Sequence, residues 1–306
     1  MSAPARSVPR SGVPARWATR RTRRATYGRQ AAEVAAALGL ELLPWQRQVL
    51  NVALEHVRGR LSYRDVVISV PRQSGKSTLM LVVIVHRLLS ARCAAVYGAQ
   101  TRLAARQKLL DDFLPLIRQS SLSRLFDVSR ATGQEALLAL GGTGSRCRVI
   151  SSDETAAHGQ TASLGVLDEA WALDQAAEQA VRPALVTKRA GQLWVASTAG
   201  TAKSLWWADK VAIGREAVTS GRTSGFCYFE WSADPGADLT DPAILRSFHP
   251  AVDLTIDIET LVSDISAMPS PAEAARAFGN VQPDELGVGW DVFDEADWAR
   301  ATGEAS

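Results

Sequence analysis

Two short stretches carry residue types that could do phosphate chemistry. Residues 70–77 read Val-Pro-Arg-Gln-Ser-Gly-Lys-Ser, and an apolar run, Leu164-Gly-Val-Leu, ends in the carboxylate pair Asp168-Glu169. In the first, backbone N–H groups at a strand-to-helix turn can curl around a phosphate, and the following helix N-terminus adds a favourable dipole. Arg72, Gln73, Ser74, Gly75, Lys76, Ser77 and Thr78 would form this nucleotide-binding cradle. Lys76 would reach the β- and γ-phosphates of ATP, and the Ser77 hydroxyl would ligate Mg2+. The pattern is incomplete, because Val70 stands where a phosphate-binding loop usually begins with glycine. A bland alternative is a glycine turn with a surface lysine. The flanking runs favour the cradle: Asp65–Val70 is rich in β-branched residues, as in a buried parallel strand, and Thr78–Leu89 is an apolar helix pattern.

The carboxylate pair lies 92 residues after Lys76. At the carboxyl end of a strand neighbouring the loop's own, Asp168 would hold the Mg2+ shell and Glu169 would position and deprotonate an attacking water. Arg72, inside the loop, would stabilise charge on a transferring phosphoryl group or would simply face solvent. Gln100-Thr101 and Ser197-Thr198-Ala199 end two further strands. They would sense a γ-phosphate or serve as ordinary turn residues. Gln46, in Leu43-Pro-Trp-Gln, offers an amide donor and acceptor that could meet adenine. Trp206-Trp207 read as packing residues.

These groups need elements to position them. Helices are expected over Ala31–Gly39, Pro44 to about Gly59, Lys76–Ser90, Thr101 toward Ile117, Gln175–Lys188 and Lys203–Ser220. Strands are expected at Asp65–Val70, Cys93–Ala99, Ser163–Leu167, Gln192–Ser197 and Gly225–Trp231, with a hairpin over Ala136–Leu140 and Arg146–Ser151. Strands alternating with helices indicate an α/β domain with a mostly parallel central sheet flanked by helices. Beyond Asp234-Pro-Gly the pattern is loop-rich, with short helices near 257–267 and 271–279.

Composition excludes several classes. The 306 residues are 46% hydrophobic, enough for a large core. Cys93, Cys147 and Cys227 are widely spaced, which fits neither a disulfide framework nor a zinc site and suits a reducing cytosol. The apolar stretch Leu79–Leu89, broken by His86 and Arg87, is far short of the ~20 residues of a membrane span. Net charge is +2, yet residues 1–30 hold eight arginines and no acid, leaving 26 basic against 32 acidic residues elsewhere. This Arg-rich segment is expected to be a disordered tail: a solvated extension, an arm that meets phosphates or an acidic partner, or a transit peptide.

Leu43-Pro-Trp-Gln46, residues 70–77, Leu164–Trp171 and Ala196–Thr201 together resemble, in order and spacing, the ATPase half of the large terminase subunit of tailed bacteriophages. Residues 226–242, His249-Pro250 and Phe278-Gly-Asn280 resemble the ATPase–nuclease joint of actinobacteriophage-type members. Such terminases replace the first loop glycine and carry an arginine within the loop, as Val70 and Arg72 do here. The resemblance implies a RecA-like (ASCE) P-loop NTPase with an N-terminal helical extension. Its parts would be a tail at 1–30, the ATPase domain with its N-terminal helices at 31–235, and a linker or lid at 236–306 leading toward a nuclease domain that this sequence does not include.

The resemblance further implies that Gln46 contacts adenine. Arg72, Lys76 and Ser77 would act from the loop, Asp168 and Glu169 on Mg2+ and water, and Ser197-Thr198-Ala199 would couple hydrolysis to DNA movement. The implied partners are double-stranded viral DNA, the portal protein, the small terminase subunit and further copies of the chain in a ring, in the host cytoplasm at the procapsid. In some relatives an arginine acts across the subunit boundary; His158-Gly159 occupies that place here, so that Arg146, Arg148 or another residue would do that job, or the register is different. Asp291, Asp294, Glu295 and Asp297 read as a linker terminus, with no nuclease activity expected. A helicase-like nucleic-acid remodeller and a nucleotide-binding assembly module without turnover stay as alternatives.

Overall fold

The computed structural model describes residues 12–90, 92–131, 135–140, 144–150 and 162–286. The chain opens with two short strands, β1 (Trp17–Ala18) and β2 (Ala25–Thr26), followed by helices α1 (Gly28–Ala37) and α2 (Pro44–Ala53). A hairpin of β3 (Glu55–Val57) and β4 (Arg60–Leu61) leads to β5 (Tyr63–Ser69), α3 (Lys76–Ser90) and β6 (Ala94–Gly98). Helices α4 (Arg102–Gln107) and α5 (Leu114–Gln119) run on through a wider π-type turn at Lys108–Phe113. Then come β7 (Phe126–Ser129), β8 (Ala136–Ala139), β9 (Arg146–Val149), β10 (Leu164–Asp168), α6 (Gln175–Val186), β11 (Gln192–Ser197), α7 (Leu205–Thr219) and β12 (Gly225–Glu230). Three short helices follow: α8 (Pro242–Phe248), α9 (Ile258–Ser266) and α10 (Pro271–Ala277).

Nine strands form one sheet in the order β1-β12-β5-β11-β10-β6-β9-β8-β7. From β12 to β9 neighbours are parallel; β1, β8 and β7 pair antiparallel at the edges. Parallel strands covered on both faces must be apolar throughout, and β10 and β11 are buried at every position. On one face α1–α5 enclose the larger core, in which Leu79 to Val85 of α3 are fully buried. A helix apolar all round needs neighbours on every side, and α3 is sandwiched accordingly. On the other face α6 and α7 build a second core that contains Trp206 and Trp207, which pack as expected. Residues 233–286 carry a third, smaller core.

The sheet order corrects the expectation that the Asp168 strand neighbours the loop's strand. β11 lies between β5 and β10, so the end of β11 is inserted at the heart of the site. Strand order among parallel strands is set by which helical faces fit, and no local pattern encodes it.

The Arg-rich segment is also corrected from residue 12 onward. Arg16 N–H donates to Glu230 O, β1 pairs with β12, and the Trp231 indole donates to Val13 O. Its arginines find acids in the domain: Arg16 meets the exposed Asp234 and the half-buried Glu285, while Arg21 and Arg24 meet the fully buried Glu55. Glu55 also accepts from the Thr22 N–H (2.7 Å) and hydroxyl (2.6 Å). That demand explains why α2 stops at Ala53 instead of running to Gly59, since Glu55 and His56 pair with β2, and His56 and Val57 with β4. Residues 1–11 lie outside the described part.

Among the described residues no helix is long and apolar enough to cross a membrane. The three cysteines are buried and unbridged. Burial pushes the imidazoles of His86 and His249 down to about 4 from an ordinary 6.5. Between those values the unfolded chain binds more protons than the folded one, so stability present at neutral pH is lost as pH falls from about 6.5 toward 4. Neither ring nitrogen of His86 has a hydrogen-bond partner. His86→Leu should therefore flatten the acid loss in a thermal-melt series from pH 7 to pH 5; a slope parallel to wild type would refute this assignment.

Candidate functional site

The 70–77 segment is a loop between the buried end of β5 and the first turn of α3. Two residues, Gln73 (φ 60°) and Gly75 (φ 88°), take left-handed backbone conformations that turn successive N–H groups inward. Gly75 is required twice over, by its φ and because a Cβ there would come within 2.9 Å of the Gln46 amide nitrogen. The loop is tied from three sides. Ser74 Oγ donates to Pro71 O (2.8 Å), and the Trp45 indole donates to Ser74 O (3.0 Å). Gln46 Nε2 donates to Gly75 O (2.8 Å).

Gln46 was expected at adenine, and the structure gives it a second employment. It is 1% exposed, and its Oε1 accepts the Leu43 N–H at 2.8 Å. The amide thus links the start of α2 to the cradle, and Leu43-Pro-Trp-Gln reads as a brace for the loop.

Lys76 is buried with its Nζ 3.2 Å from Glu169 Oε1. The two residues expected to work on the γ-phosphate are therefore brought together across the inserted strand. Asp168, at the end of β10, is 3% exposed. Its Oδ2 accepts from the Tyr97 hydroxyl (3.2 Å) and its Oδ1 from the Glu169 N–H (2.9 Å). Burial pushes the Asp168 carboxyl up, opposed by the Lys76 charge. Burial also keeps the Tyr97 hydroxyl far above its ordinary range, so it stays a donor.

A buried carboxylate disfavoured in its charged form is what a divalent cation relieves, so the donor set suits Mg2+ at Asp168 and Ser77. No group of three or more His, Cys, Asp or Glu residues able to hold a metal alone occurs among the described residues.

Glu169 sits in a left-handed conformation (φ 53°, ψ 47°) that costs a side-chain-bearing residue about 1–2 kcal/mol. The turn lifts its carboxylate off the strand direction toward the loop. Oε2 accepts from the Trp171 indole at 3.1 Å. Gly165 lets α6 pack closely on β10, because a Cβ there would meet Val181 of α6 at 2.5 Å.

The Ser197-Thr198-Ala199 stretch lies at the junction of loop, carboxylates and C-terminal helices. Ser197 O accepts from Val70 N–H (3.0 Å), aligning β11 with the loop, and Ser197 Oγ accepts from Trp171 N–H (2.9 Å). The Thr198 hydroxyl approaches Ala277 O at 3.4 Å, and Ala199 O accepts from Arg276 (3.1 Å). Asn280, fully buried, donates to Ser69 Oγ (2.9 Å) and Trp231 O (2.8 Å). The Arg72 side chain is exposed, and its N–H donates to Ala277 O (3.0 Å).

Trp171, Arg276 and Asn280 were not singled out as site residues by type and spacing. The nearest signal was the quoted Leu164–Trp171 and Phe278–Asn280 segments. Gln100-Thr101 ends β6 as expected, with Thr101 capping α4 through the Ala104 N–H. His158-Gly159 and the acids from Asp291 onward lie outside the described residues.

A mostly parallel sheet flanked by helices, with the 70–77 loop after β5 and the acidic pair at the end of β10, has a RecA-like fold. No family model matches the sequence, and no curated protein matches it either. Solved structures do. The large terminase of bacteriophage HK97 aligns with TM-score 0.69 at 17% identity, over 84% of this chain and 56% of that one. The ATPase domain of the Thermus phage P74-26 large terminase aligns with TM-score 0.57 at 17% identity, over 84% of this chain and 99% of that domain. The chain thus has the fold of phage large-terminase ATPase domains and spans about half the length of the HK97 protein.

If Gln46 braces the loop, Gln46→Ala should weaken binding of ATP and GTP by the same factor, measured by calorimetry. A loss confined to ATP would favour the adenine role instead.

Proposed function

We propose that the chain is a Mg2+-dependent ATPase that serves as the motor of viral DNA packaging, moving double-stranded DNA into a procapsid. The observation that supports it most is the meeting of Lys76 and Glu169, 3.2 Å apart, in a fold shared with phage terminase ATPase domains.

Each residue then has a task. The loop N–H groups and the α3 N-terminus hold the phosphates, and Lys76 leaves Glu169 for the β/γ-oxygens. Asp168 and Ser77 would hold Mg2+, which would supply charge neutralisation on those oxygens. Glu169 orients a water in line with the γ-phosphate and takes its proton. Arg72, whose side chain is exposed, stabilises charge on the transferring group. Ser197, Thr198 and Ala199 touch both the carboxylate segment and α10, so a change at the phosphate reaches the C-terminal helices through them. In this reading the chain works as a ring on the portal protein, together with the small terminase subunit, in the host cytoplasm.

Lys76→Ala and Glu169→Gln should each lower ATP turnover, assayed with double-stranded DNA present, by about 100-fold or more. EDTA should abolish the wild-type rate. Glu169→Gln should still bind ATP. Unchanged turnover in both variants would overturn the assignment.

A further inference from the structure

Trp171 stands two residues beyond Glu169, and four contacts fix it. Its N–H donates to Ser197 Oγ (2.9 Å), and its carbonyl accepts from Ser204 Oγ (2.6 Å). Its indole N–H donates to Glu169 Oε2 (3.1 Å), and the Arg276 guanidinium lies over its ring, 5.6 Å from the centroid. Arg276 is itself held, Nη1 by Ala199 O at 3.1 Å and Nη2 by Glu273 at 2.7 Å.

The Glu169 side chain is 42% exposed, so solvent would leave it free among rotamers. Two contacts restrain it, Lys76 at Oε1 and Trp171 at Oε2. A lysine is a mobile point charge that turns to phosphate when phosphate is in reach. The indole cannot follow, because main chain at one end and a cation on its face hold it in place. Once Lys76 has turned, the Trp171 N–H is the remaining restraint on the carboxylate. A general base works only within hydrogen-bond reach of its proton, and small misplacements slow it steeply.

Arg276 belongs to α10, whose Ala277 O accepts the Arg72 N–H. A shift of α10 therefore moves the loop and the cation on the indole together.

Resting on the reading of Glu169 as base, we propose that Trp171 is the positioning residue for the Glu169 carboxylate and that Arg276 clamps it, so that α10 sets the geometry of the base.

The test compares ATP hydrolysis and binding of a fluorescent ATP analogue in wild type, Trp171→Phe, Trp171→His, Arg276→Met and Glu169→Gln, each checked by thermal melting. Trp171→Phe keeps the ring and its cation but loses the N–H. It should lower kcat about tenfold while KM and analogue Kd stay within about twofold. Trp171→His, which restores a donor, should recover part of the rate. Arg276→Met should lower kcat about threefold at constant KM.

A Trp171→Phe enzyme with wild-type kcat overturns the proposal. So does a histidine variant no faster than the phenylalanine one, or a kcat loss matched by equal loss of nucleotide affinity. Should Trp171→Phe fail to melt cooperatively, wild-type kcat in Arg276→Met overturns it instead. Hydrolysis that survives Glu169→Gln overturns the base reading itself. A dead Glu169→Gln with a normal Trp171→Phe removes only the proposal made here.

Discussion

The ion pair between Lys76 and Glu169 exists because three parallel strands stop at the same level. The Val70 N–H bonds Ser197 O, and Asp168 stands level with Ala196 in the β10–β11 register, so β5, β11 and β10 end side by side. Register slips by one residue invert every side chain of a strand, and buried strands apolar on both faces resist slipping only through their packing and ladders. The chemistry at the sheet edge therefore draws its precision from the core beneath it. The residues that grip α3 and α6 against the sheet matter to the site as much as those that line it.

Charge is managed at this edge by confinement. Lys76 and Asp168 are almost wholly buried, while Glu169 keeps partial access to solvent. In such a setting electrostatic interactions are stronger than in water, and an unpaired group is costly. Each charge has a partner: Lys76 the Glu169 carboxylate, Asp168 the Tyr97 hydroxyl and a backbone N–H. The same pattern recurs at Glu230, which is fully buried between Arg215, the Tyr228 hydroxyl and Ser232 Oγ.

Much of this arrangement was legible in the sequence. Helix α3 and strand β11 match their expected bounds, because continuous apolar runs closed by turn residues leave little choice. The loop and the acidic pair stand out in the sequence as unusual local residue sets, and the fold brings Lys76 and Glu169 of those sets together. The N-terminal strands were not, since β1 and β2 are two residues each and owe their form to partners far along the chain. The same holds for Trp171 and Arg276. A tryptophan after an acid and an arginine in a short helix have no local signature; their meaning arises where Ala199 O and the indole face meet the guanidinium. Helix α8 escaped notice because it is short and sits among turn residues. Gln46 was noticed for the right reason, its paired donor and acceptor, which the fold spends on Leu43 and Gly75.

The Arg16 contact with Ala233 O spans 217 positions, and its ion pair with Glu285 spans still more. Closing so long a loop is entropically costly before other contacts repay it, and sheets built on distant pairings form late. During synthesis, the first strand of this sheet must wait until nearly all the described chain has left the ribosome. Until β1 docks, β12 presents an open strand edge. The segment around β1 is thus a late piece to be laid down, and Arg16 finds its partners only once Glu230 O, Asp234 and Glu285 are present to receive it.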